Sequence, residues 1–269
     1  MKLAVSSWSF HRELPNTHGI KASESTDLAG FIRLCRDRYA VQGVELWSGH
    51  ILRPGSPDYM ADLAAVIADS GLALVNIACD AAKVGIADPA AGRENLRTLK
   101  RWVKTAASLG SRAIRVNTAA ADGRTVDETL RAVVGDYRRL LAAVKRAKLL
   151  LLLENHGGLS SDPEQVVRIF KGVRDKQFRA CPDNGNFAAE AREAGLLAMA
   201  PYMSMAHLKM LAFGPDGGET TFDIPAIVGL YRRGGYDGFL SIEFEGKGDQ
   251  HEGVEKSVAL ARRAMVGPR

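Results

Sequence analysis

The chain has 269 residues, 46% of them hydrophobic, which is enough to bury a full core. Its formal net charge of +5 comes from bases spread among acids along helical segments rather than blocked together, so a solvated surface accounts for them and a nucleic-acid partner is not expected. The opening MKLAVSSWSFHREL has no long apolar region and no small-residue cleavage site, and no window approaches the ~18 apolar residues of a membrane span; a soluble, cytoplasmic protein with no membrane partner is expected.

Short β-rich runs appear at 2–7 (KLAVSS), 43–47 (GVELW), 72–78 (LALVNIA) and 111–117 (SRAIRVN). After the fourth comes the clearest helix, 125–147, where Val126, Leu130, Val133, Tyr137, Leu140 and Val144 recur at three- and four-residue steps behind a T-x-x-E start at Thr125 and Glu128. The fifth run, 149–154 (LLLLLE), leads to a second helix start at Ser161, Pro163 and Glu164. Runs at 177–183 (QFRACPD), 203–210 (MSMAHLKM) and 238–245 (GFLSIEFE) complete the set.

Continuous apolar strands that alternate with helices point to parallel βαβ units. Eight such units in one chain predict a single-domain (β/α)8 TIM barrel over 1–269, although ~150 residues per domain would suggest two domains. An open doubly wound sheet is the rival, but neither a G-x-G-x-x-G nor a phosphate loop follows any strand. The Gly-rich patches FGPDGGE and GKGDQHEG read as long loops after strands seven and eight. Cys35, Cys79 and Cys181 are odd in number, far apart and in no C-x-x-C pattern, which predicts reduced thiols.

A barrel brings its strand ends to one mouth, where its chemistry sits. Strand five ends in Glu154, strand six in Asp183, strand seven carries His207 and strand eight carries Glu243. Four such residues on consecutive strands can surround one divalent cation, and a cation would explain why a leucine run ends in a carboxylate. Three carboxylates and an imidazole suit Mn²⁺ or Mg²⁺ and also accept Co²⁺ or Zn²⁺.

The segments LLLLENHGG, CPDNGN, HLK and GYDGFLSIEFEG resemble the sugar phosphate isomerase/epimerase group of the xylose isomerase-like TIM barrel superfamily, over essentially the whole chain. The group includes ketose 3-epimerases, hydroxypyruvate isomerases and inosose dehydratases. The resemblance implies that Glu154, Asp183, His207 and Glu243 hold one catalytic divalent metal and that the two glutamates flank a small-molecule sugar. A homo-oligomer is implied by analogy alone.

On that basis Glu154 and Glu243 are expected to pass a proton to and from the carbon beside a carbonyl. Lys209, two residues past His207 and on the same side of its strand, is placed either to stabilise the developing oxyanion or in a salt bridge at the barrel rim. His156 shares a face with Glu154 and is expected either to hydrogen-bond the substrate or to relay a proton. Asn186 stands where some relatives carry a His, and an amide suits a sugar hydroxyl better than a second metal. Arg115 and Glu45 reach either polar substrate groups or internal ion pairs. Trp8, Phe10, His11, Trp47 and His50 form either an aromatic wall for a sugar face or part of the core, while His18 and His251 fall in loops.

A dehydratase or lyase acting on a keto-inositol or ketosugar needs the same ligands and stays open beside an isomerase or epimerase. An endonuclease IV-type nuclease needs further histidines, and the chain has six in all with no D-x-H after His207. A metal-free scaffold would make the four ligands a coincidence.

Overall fold

A computed structural model describes residues 1–266. Strands and helices alternate: β1 (Lys2–Ser6), α1 (Leu28–Asp37), β2 (Gly43–Trp47), α2 (Pro57–Ser70), β3 (Ala73–Val84), α3 (Pro89–Ser108), β4 (Ala113–Thr118) and α4 (Val126–Arg146). The second half runs β5 (Leu150–Glu154), α5 (Pro163–Val173), β6 (Phe178–Cys181), α6 (Arg192–Met199), β7 (Met205–Met210), α7 (Ile224–Arg233), β8 (Phe239–Phe244) and α8 (Gln250–Val266).

The helices begin where side chains can satisfy their first N–H groups. Thr125 and Glu128 form the expected reciprocal capping box on α4, and Asp27, Ser56, Asp88 and Asp223 cap α1, α2, α3 and α7. The start of α5 differs from expectation. Its cap is Asp162, which accepts from the Glu164 N–H, whereas the Ser161 hydroxyl turns back to the Gly158 carbonyl.

Two compact units divide the chain, Met1–Val75 with Ser204–Arg269, and Asn76–Met203. In the first, β1 pairs in parallel with β2 and β8, and β8 with β7; in the second, β4 pairs in parallel with β3 and β5, and β5 with β6. The full order, β6-β5-β4-β3-β2-β1-β8-β7, is that of a ring in chain sequence cut between β6 and β7. The fold is thus a nearly closed, single-domain (β/α)8 barrel.

Two strands depart from expectation at their ends. Strand β3 runs on to Val84, with a register shift between Cys79 and Val84 before it meets Thr118. Strand β6 stops at Cys181, because Pro182 has no N–H to continue the ladder. The strands are buried on both faces, and each unit has its own large core side chains, Phe10, Phe31 and Tyr231 in one and Tyr137 in the other. The Tyr137 hydroxyl donates to the Val116 carbonyl at 2.7 Å, which satisfies a phenol that would be costly to bury bare.

Candidate metal centre

In the second unit the leucines of β5 carry Glu154 into the interior, where it is 1% exposed. Its charge is compensated by protein groups. Arg115 Nε on β4 lies 3.0 Å from Glu154 Oε2, and Asn186 Nδ2 donates to Oε1 at 3.1 Å. Arg115 also donates from Nη1 to Asp80 Oδ1 at 2.5 Å, so one guanidinium serves two carboxylates.

Asp183 is placed by Asn155. The Asn155 side chain accepts from the Asp183 N–H at 2.7 Å and donates to the Asp183 carbonyl at 2.9 Å, while the Gly185 N–H holds Asp183 Oδ1 at 2.6 Å. This fixes a fully buried carboxylate two residues beyond the end of β6.

In the first unit His207 and Ser241 are register partners on β7 and β8, and both turn to Glu45 on β2. His207 Nε2 lies 3.0 and 3.1 Å from the two Glu45 oxygens, and the Ser241 hydroxyl donates to Oε2 at 2.6 Å. A proton on Nε2 puts the imidazole lone pair on Nδ1, the usual way a buried carboxylate orients a metal-binding histidine. Glu45 is therefore placed by the structure behind His207.

One rung further along, Lys209 faces Glu243, with Nζ 3.3 Å from Glu243 Oε2 and 3.2 Å from Glu245 Oε1. Trp8 Nε1 donates to that same Glu245 oxygen at 2.8 Å.

Glu154, Asp183, His207 and Glu243 are all buried, and each offers one ligand atom within 4.8 Å of the others. An ion at about 2.0–2.4 Å from each donor brings its donors within roughly 5 Å of one another, so the cluster fits a divalent cation. Three carboxylates drawn together inside a protein are also mutually repulsive, and a cation is the natural compensation. The donor set is mostly hard oxygen and does not choose among the candidate ions.

Of the remaining expected residues, His156 is exposed just past β5, and its Nδ1 meets Asn117 Nδ2 at 3.2 Å. Trp8 stacks on His11, with ring centroids 4.9 Å apart, and meets Trp47 edge-on. Trp47 in turn meets His18 and His50. His50 is buried, bonded through Nδ1 to Ser7 Oγ, and burial beside His11 and His18 lowers its pKa to about 3. Phe10 is fully buried core. His251 lies in helix α8 rather than in a loop, held between Tyr39 and Glu13.

Sequence reasoning passed over four residues that hold these groups in place. Asn117 and Glu245 each follow an identified residue by two, Arg115 and Glu243, so strand alternation was a usable signal. Asn155 sits between two candidates and points away from both. Asp80 lay outside the expected end of β3 and had no signal.

The family model described as xylose isomerase-like TIM barrel matches residues 35–264. No curated protein matches the sequence. Among solved structures, the chain is similar to a D-psicose 3-epimerase from Clostridium cellulolyticum H10 with D-tagatose (TM-score 0.80, 12% identity, 98% of this chain and 99% of that one). It is also similar to the apo form of a 3-keto-D-glucoside 4-epimerase from E. coli (TM-score 0.75, 14% identity, 98% and 99%). A third likeness is to a xylose isomerase-like TIM barrel protein from Mycobacterium smegmatis in complex with magnesium (TM-score 0.71, 17% identity, 98% and 98%). With the family model spanning both compact units, the chain belongs to the xylose isomerase-like TIM barrel family.

Proposed function

We propose that the chain, acting as one domain in the cytoplasm, is a divalent-metal-dependent isomerase or epimerase of a ketose or related keto-sugar. The observation that carries this is the buried quartet Glu154, Asp183, His207 and Glu243 with its ligand atoms within 4.8 Å of one another. Two features agree with the setting: the three cysteines are buried, and among the described residues there is no disulfide and no helix long and apolar enough to cross a membrane.

A bound divalent cation would supply Lewis acidity to a carbonyl and its neighbouring hydroxyl. The chain's own residues do the rest. A carbon acid beside a carbonyl gives up its proton only to a well-placed base, and Glu154 and Glu243, from two different strands, are the pair to take and return it. Arg115 and Asn186 hold the Glu154 carboxylate in one orientation, which lowers the cost of aligning it for each proton transfer. Lys209, beside Glu243, would stabilise charge developing on the sugar oxygen. His156 and Asn186 would bind hydroxyls, and Trp8 would face the sugar ring.

Turnover of a sugar panel in D₂O with added Mn²⁺ tests the reading. Isomeric product with deuterium on the carbon next to the carbonyl is expected, since a proton held on a carboxylate exchanges with water. Product lighter by one water would replace this reading with a dehydratase. Isomeric product without deuterium would overturn the two-glutamate assignment.

A further inference from the structure

Glu154 and His156 leave the end of β5 in different environments, one buried and one exposed, yet a single chain of side chains joins them. Glu154 pairs with Arg115, Arg115 donates to Asp80, Asn117 Nδ2 donates to the same Asp80 oxygen at 2.9 Å, and that amide nitrogen also meets His156 Nδ1 at 3.2 Å. Arg115 and Asn117 are 4% and 1% exposed, so water does not offer them easy substitutes.

The chemistry of the amide fixes its direction. A carboxylate accepts and cannot donate, so Asp80 requires the NH₂ end of Asn117, even though the Asn117 Oδ1 is then buried with no hydrogen-bond partner among the described residues. The second hydrogen of that NH₂ leaves only one role for His156 Nδ1, which must accept. In the neutral ring the proton then lies on Nε2.

We infer that Asp80 is a positioning residue that, through Asn117, fixes His156 as the Nε2–H tautomer. His156 then offers a donor from its exposed ring, suited to a hydroxyl or carbonyl oxygen of the ligand, and cannot take a substrate proton at Nε2. One residue thus serves two tasks, because the same Asp80 carboxylate anchors the guanidinium beside Glu154. The donor role toward a sugar rests on the proposed function; the tautomer does not.

Long-range ¹H–¹⁵N correlation of the histidine rings in alkaline buffer reads the tautomer without substrate or metal, and His156→Gln identifies the signal. The expected result is an unprotonated Nδ1 and a protonated Nε2. Asn117→Asp, which presents only acceptors, should reverse the ring to Nδ1–H. Asp80→Ala should release the amide and give a mixture of the two tautomers. Wild-type His156 found as Nδ1–H or as a mixture overturns the proposal, and so does Asp80→Ala protein that melts cooperatively with the ring still wholly Nε2–H. A sugar panel that yields no turnover would end the proposed function and leave the tautomer result standing.

Discussion

Lys209 and Glu243 are register partners on β7 and β8, and the ammonium sits 3.3 Å from Glu243 Oε2 and 3.2 Å from Glu245 Oε1. One cation is thus shared between a candidate metal ligand and a carboxylate that also receives the Trp8 indole N–H. Of the two readings of Lys209 given by the sequence, the salt bridge is what these distances describe, and the oxyanion role belongs to the proposed function.

Kinetics can separate them. Lys209→Met should retain stoichiometric metal, measured by elemental analysis, and lower kcat by ~10- to 1000-fold through loss of oxyanion stabilisation. Normal turnover would assign Lys209 to the salt bridge alone.

The metal should also support the fold. Because an ion held by this cluster would relieve repulsion among three buried carboxylates, a chelator should lower the melting temperature as well as activity, and added Mn²⁺ should restore both. Glu154→Gln and Glu243→Gln should each abolish turnover, with a smaller chelator effect on melting. Chelator-treated protein with unchanged melting and activity would be incompatible with the centre.

Arg115 pairs with both Glu154 and Asp80, and its removal takes a positive charge from beside a buried carboxylate. Arg115→Ala should cost about 3–5 kcal/mol in a urea titration, the scale for breaking a buried ion pair. Arg115→Lys should recover only part, since one ammonium cannot fork to both partners.

His50 predicts an acid weakness unrelated to the metal. Burial is the main cause of its lowered pKa, about 3, so the folded protein keeps the ring neutral while the unfolded chain takes up a proton below the ordinary value of about 6.5. Stability from this group is therefore complete at neutral pH and is lost as pH falls from about 6.5 toward 3. The slope approaches one proton, about 1.4 kcal/mol per pH unit. Comparing urea midpoints of wild type and His50→Gln between pH 7 and pH 4 should show the variant losing less stability on acidification.

The barrel was legible because its signals are local: unbroken apolar runs, a capping box at Thr125, and strand ends that carry metal-binding residue types. The four residues of the candidate cluster needed only their positions on consecutive strands. Hidden from sequence were the partners that arrive from elsewhere. Asp80 reaches Arg115 because β3 overruns its apolar core by several residues, and nothing in ACDAAKV announces that extension. Asp162 displaced Ser161 as a cap because both are good acceptors and only the turn geometry chooses. Glu45 was left between substrate and ion pair because strand alternation gives a face but not the neighbour across it; the neighbour is His207.

The Asn155 clamp carries a consequence for the protein's working life. Its two bonds to Asp183 continue the β5–β6 ladder past Pro182, with a side-chain amide standing in for a backbone one. Asparagine is among the residues that heat degrades chemically. Hydrolysis of that amide would barely change its size, yet it would set a negative charge against the Asp183 carbonyl and next in sequence to Glu154, so one arm of the clamp would turn repulsive while the other still accepted the Asp183 N–H. Ageing at this centre would then begin as a single covalent change in a barrel that is still folded.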